Sequence, residues 1–223
     1  MSRGTWLSVG AVVLIVDAVQ WVLSEAVTAG AWKNPVYSYA TNYISDLGVP
    51  DCGTQFQGRE LCSPRHALMN TSFMVEGVLF AIGVVLLARL LDGRARRVVM
   101  ALAVAHGVGM VAVGLFHGSP GGPSHGLALH IGGAGVGILS ANTVVILAGA
   151  LRSLRPPTAY RVFSVVVGAL GIAGVALVGM SESTAGIFER AGVYSWLLWS
   201  VVTGVLLLTR RARRPSMPEN VPA

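Results

Sequence analysis

Residues 66–91, HALMNTSFMVEGVLFAIGVVLLARLL, decide the fold. Between His66 and Arg89 the run carries one charged side chain, Glu76. As a helix rising about 1.5 Å per residue, it crosses a hydrocarbon core about 30 Å thick. Five further runs read the same way, at roughly 6–28, 98–117, 126–151, 160–180 and 190–209. Of the 223 residues, 53% are hydrophobic and 12% charged, and the mean hydropathy is +0.66. A soluble domain carries about 25% charged residues. The expected fold is therefore all-α, a polytopic bundle of six transmembrane helices over residues 1–209. The last residues, 210–223, read as a disordered tail.

A net charge of +6 invites a nucleic-acid reading, but the cations sit at the ends of apolar runs, where topology needs them. Arg3, Arg89, Arg94, Arg96, Arg97, Arg152, Arg155, Arg161, Arg210, Arg211, Arg213 and Arg214 fall on one side. Lys33, Arg59, Arg65 and Arg190 fall on the other. This asymmetry predicts a multi-pass protein of the cell (plasma or inner) membrane, with both termini cytoplasmic and no nucleic-acid partner. A signal peptide is the alternative for the first run, against which stand its length and Asp17. The two cysteines, Cys52 and Cys62, both fall in the long outer segment 29–65, where an oxidising compartment permits a disulfide. Glycines along the fourth and fifth runs, Gly132, Gly133, Gly135, Gly137, Gly168, Gly171 and Gly174, predict close helix packing.

Polar groups fall at two depths. Asp17, Glu76, His106 and Asn142 lie near the middle of four different runs, where ionisable residues are costly and face the bundle interior. They read either as a polar cavity or proton relay, or as interhelical packing bonds. Near the outer surface lie Asn42, Ser45, Asp46, His66, Asn70, His117, His125, His130, Glu182, Glu189 and Arg190. His117, His125 and His130 occur within GLFHGSPGGPSHGLALH, residues 114–130. With Asp46 they could bind a divalent metal and activate water. Against this, His125 and His130 are five apart and diverge on a regular helix. A Ser-His-Asp set from Ser45, Asp46 and a loop histidine is a further option, without a G-x-S-x-G elbow. Haem is disfavoured, because His106 has no histidine at its depth on another run.

NYISDLG at 42–48 followed by the outer cysteines, GLF at 114–116 with His125 or His130 beyond, and GIFERAG at 186–192 resemble one family. It is the bacterial and archaeal membrane family known as domain of unknown function 998. The resemblance spans nearly the whole chain and implies a six-helix membrane protein. It points to Asn42, Ser45, Asp46, Glu189 and Arg190, and it carries no reaction. Family members often have proline after GLF, where this chain has His117. Three functions follow as expectations. One is an enzyme acting on a lipid or amphiphile through Ser45, Asp46, His117, His125 and His130, with Asn42, His66, Asn70, Glu182, Glu189 and Arg190 holding substrate. The second is a binding or proton-coupled transport protein using Asp17, Glu76 and His106. The third is an accessory membrane subunit.

Overall fold

A computed structural model describes residues 3–118, 124–151 and 156–212. Among them are six long helices: α1 Arg3–Ala31, α2 His66–Leu87, α3 Gly93–Leu115, α4 Ser124–Ala150, α5 Thr158–Leu177 and α6 Ala185–Ala212. Each is long and apolar enough to cross a membrane. Residues 213–223, which include most of the expected tail, lie outside the described residues.

Consecutive helices are neighbours in space, and α1 also packs on α6, so the six helices close a ring. Arg89, past the end of α2, lies over the Trp6 ring near the start of α1. Gly204, late in α6, faces Ala11 and Ile15 of α1. The start of α1 and the end of α6 therefore share one face, here the terminal face. The segment 32–65 covers the opposite, loop face.

The outer surface of the ring is apolar. Val9, Val12, Val16, Val19 and Leu23 form an exposed stripe on α1. Water would not tolerate so continuous an apolar band; lipid does. Between helices, lipid offers no hydrophobic driving force, so association depends on close van der Waals contact. Gly77 and Gly107 supply it between α2 and α3, since a Cβ on either would lie under 3.0 Å from the other's carbonyl. Gly109 meets Gly133 and Gly137 of α4 in the same way. Of the expected packing glycines, Gly168, Gly171 and Gly174 also touch a neighbour. Gly132 and Gly135 touch nothing, because they lie on the other side of α4.

The loop-face segment is more ordered than the sequence indicates. Ser45–Gly48 form a short 3-10 turn. Strands β1 (Thr54–Phe56) and β2 (Arg59–Leu61) pair antiparallel around Gln57-Gly58, both with positive φ, a two-residue hairpin loop. The expected Cys52–Cys62 disulfide closes this hairpin at its base.

Candidate functional site

At mid-height inside the ring, Glu76 of α2, His106 of α3 and Trp196 of α6 meet. His106 Nε2 lies 2.9 Å from Glu76 Oε1 and 3.1 Å from Oε2. Trp196 Nε1 donates to Glu76 Oε1 at 2.8 Å. The other imidazole nitrogen, His106 Nδ1, is 2.9 Å from the Gly137 carbonyl of α4. That carbonyl can only accept, so Nδ1 carries a proton, and Nε2 either shares one with Glu76 or accepts one from it. Asp17 of α1 completes the set. It lies within electrostatic range of Glu76, with the Gln20 side chain beside it and no ion-pair partner among the described residues. Gln20, one turn on, also reaches the Ser72 carbonyl and accepts from the Ser72 hydroxyl. Asp17, Glu76 and His106 are all 0% exposed.

Above this cluster one buried ion pair pins the loop-face segment to the ring, and a second ties the segment to itself. Arg190 of α6 donates to Glu25 of α1 at 3.0 Å, to the carbonyls of Tyr39, Asn42 and Gly186, and to the Tyr37 hydroxyl. The second oxygen of Glu25 accepts from Trp21 and Tyr194. Asp46 accepts from Arg59 Nε at 3.1 Å, from the Tyr43 amide and from Asn42. The Arg59 guanidinium also lies 4.4 Å from the Tyr43 ring centre, a cation–π contact. Burial pushes the Asp46 carboxyl above its ordinary range, and Arg59 opposes that shift. Burial likewise pushes the Tyr37 and Tyr43 hydroxyls up, with Arg190 and Arg59 opposing it. Glu189 accepts from the Ile44 amide, a further tie between α6 and this segment.

Two cavities lie along the ring axis. The smaller, about 30 Å³, is under the loop-face segment and is lined by Ser45, His130, Glu189, Trp21 and Trp196. It has room for about one or two waters. The larger, about 170 Å³, opens on the terminal face and is bounded by Leu91, Val144, Pro157, Tyr160, Trp199 and Arg210. A column of rings joins them: Trp21 to Trp196, Trp196 to His106, His106 to Phe80 and Phe80 to Trp199, with centres 4.5–6.5 Å apart. The Glu76–His106 pair is therefore part of the barrier between the cavities.

Residues 7–206 match the family described as "Protein of unknown function (DUF998)". The chain belongs to the DUF998 family. No curated protein and no solved structure matches it significantly.

In this DUF998 protein the residues singled out in the sequence separate into groups. Asp17, Glu76 and His106 come together. Asn142 does not join them: it donates to Ile138 and Gly192 and accepts from Ser195, a contact between α4 and α6. Asn42, Asp46 and Arg190 meet in the pinned segment, with their polar atoms engaged by protein groups. Ser45, Glu189 and His130 line the small cavity. His117 does not share a helical face with His106, because α3 ends at Leu115 and the chain turns there. His117 is half-buried, within electrostatic range of His130, whose Nδ1 is 2.7 Å from the Phe116 carbonyl. The His125 side chain lies outside the described residues. Among the described residues no three His, Cys, Asp or Glu side chains group as metal ligands. His66 contacts the Ser63 carbonyl, and Asn70 donates to Gly48, each tying α2 to the covering segment. Glu182 is exposed beside Gly58 of the hairpin.

Sequence reasoning passed over Glu25, Arg59 and Trp196. Glu25 carried a signal: a second carboxylate in the first apolar run, four residues after Trp21 and therefore on its face of the helix. Trp196 carried none, since a tryptophan in a spanning helix reads as packing.

Proposed function

We propose that this protein is a proton-coupled membrane transporter whose protonation site is Asp17, Glu76 and His106. The observation that carries the reading is their arrangement. Three ionisable side chains from three helices sit fully buried between two axial cavities, and one of them, Asp17, has no ion-pair partner among the described residues. A lone ionised carboxylate in so dry a place is very costly, so Asp17 holds a proton at rest. Glu76 and His106 can hold or release another between them. Groups that fix packing need no such cost, as Asn142 illustrates with its bonds complete. The small cavity lies on the loop-face side of the pair and the larger on the terminal side, as in a carrier open to one face. The arginine asymmetry supports a cytoplasmic terminal face in the cell membrane.

Infrared difference spectra of protein in lipid between acid and alkaline pH test this. A carboxyl C=O band that titrates, and that is altered by Asp17→Asn or Glu76→Gln, is expected. Proteoliposomes loaded with a pH-sensitive dye should show proton flux that both substitutions reduce. If both variants match the parent in spectrum and flux, the reading is wrong.

One observation favours a second reading, hydrolysis of a lipid or amphiphile at the loop face: Ser45, His130 and Glu189 line one cavity. His130 would serve as base, with Glu189 as the acidic partner. A divalent metal held by His117, His125 and His130 belongs to the same reading. Labelling by a fluorophosphonate that is lost in Ser45→Ala supports it. Stoichiometric metal lost in the triple alanine variant supports its metal form. Absence of both removes it.

A further inference from the structure

The larger cavity lies apart from the proton site and has its own chemistry. Its walls are contributed by α2 to α6 and are almost entirely Leu, Val, Ala and Pro. Its volume, about 170 Å³, exceeds the ~150 Å³ of an apolar protein cavity that admits benzene. Four polar side chains break the apolar lining. Arg210, exposed at the terminal face, is the one charged lining residue among those described. Trp199, 3% exposed, lines the other end, with its indole beside the Tyr160 hydroxyl. Between them the Tyr160 and Thr203 hydroxyls bond to each other at 2.9 Å. Trp199 and Arg210 are eleven residues apart on α6, so the chamber runs about 16 Å along the axis, roughly one leaflet's depth.

We infer that this chamber binds the hydrocarbon chain of a single-chain anionic amphiphile taken from the leaflet at the terminal face. The chain lies along α6, and the anionic head meets Arg210. The shape and lining select a chain, since an apolar chamber gains nothing from a polar solute and holds water poorly. The charge at the mouth selects the head, because guanidinium groups pair well with carboxylate and phosphate. Binding at fixed pH is independent of whether the core titrates, so this inference does not rest on the transport reading.

The test is fluorescence quenching in nanodiscs by a lysophosphatidate with a brominated chain, compared with the lysophosphatidylcholine bearing the same chain. Trp199 lines the chamber, so a bound brominated chain quenches it, and Trp199→Phe identifies its share of the signal. The expected result is saturable quenching by the anionic probe at about tenfold lower concentration than the zwitterionic one. Arg210→Gln, at an exposed position that leaves folding intact, should bring the two probes to equal affinity. Ala148→Phe, which fills the chamber, should abolish the Trp199 signal. Equal affinities in the parent protein, quenching indifferent to Trp199, or a chamber-filled variant of unchanged helicity that still binds would each overturn the inference.

Discussion

Arg190→Met is the substitution whose consequence is most fully set by the structure. The Arg190 side chain is 9% exposed and its partner Glu25 1% exposed, so solvent screens the pair little. Methionine keeps the length and apolar stem but removes every donor. Glu25 would then be a buried charge with only Trp21 and Tyr194 to satisfy it. Breaking a buried pair in this way costs about 3–5 kcal/mol. The Tyr39 and Asn42 carbonyls also lose their donor, at about 1 kcal/mol each. These losses overlap, so about 4–6 kcal/mol is expected overall. The assay is equilibrium unfolding in mixed detergent micelles, with hydrogen exchange over residues 37–46 read in parallel. Exchange there should rise far more than in α3 or α4, because Arg190 holds those residues to α6. Adding Glu25→Leu should recover several kcal/mol, since the double variant leaves no orphaned charge. A loss under about 1 kcal/mol in Arg190→Met, or strict additivity in the double variant, would refute the claim that this pair pins the covering segment.

Other predictions follow the same physics. Reducing Cys52–Cys62 opens a loop spanning ten residues of sequence separation, which chain entropy values at about 2.7 kcal/mol, and proteolysis within 52–62 should accelerate while the helices stay protected. Gly109→Ala places a Cβ 2.5 Å from the Gly133 carbonyl, so α3 and α4 must separate; a loss of about 1–3 kcal/mol in unfolding is expected. Asp46 has its carboxyl raised by burial, so its contribution to stability is full below its unfolded pKa of about 3.9 and is lost as pH rises through the higher folded value. Unfolding from acid to neutral pH should show this slope in the parent and lose it in Asp46→Asn. Asn142→Leu removes the bonds to Gly192 and Ser195 and should cost about 1–3 kcal/mol with no change in any carboxyl band. A band change there would join Asn142 to the proton site.

The six helices were readable from the sequence because lipid leaves little choice: a spanning backbone must satisfy its own hydrogen bonds, so length and apolarity alone select helix. The cysteine pair was readable for a similar reason, since the chain's two thiols are close in sequence within one loop. That Asp17, Glu76 and His106 face inward also followed from cost alone. Which of them meet did not. Glu76 and His106 touch because Gly77 and Gly107 let α2 and α3 approach within van der Waals contact, whereas Asn142, at a similar depth, is turned toward α6. Helix rotation about its own axis sets such pairings, and it depends on every neighbour at once. Helical spacing says nothing of where His117 points, because α3 ends at Leu115. The pinning of the 32–65 segment by Glu25 and Arg190 joins residues up to 165 positions apart. Hydropathy determined how often this chain crosses the membrane; only packing decided which polar groups share a space, because burial constrains each residue singly while contact depends on the whole ring.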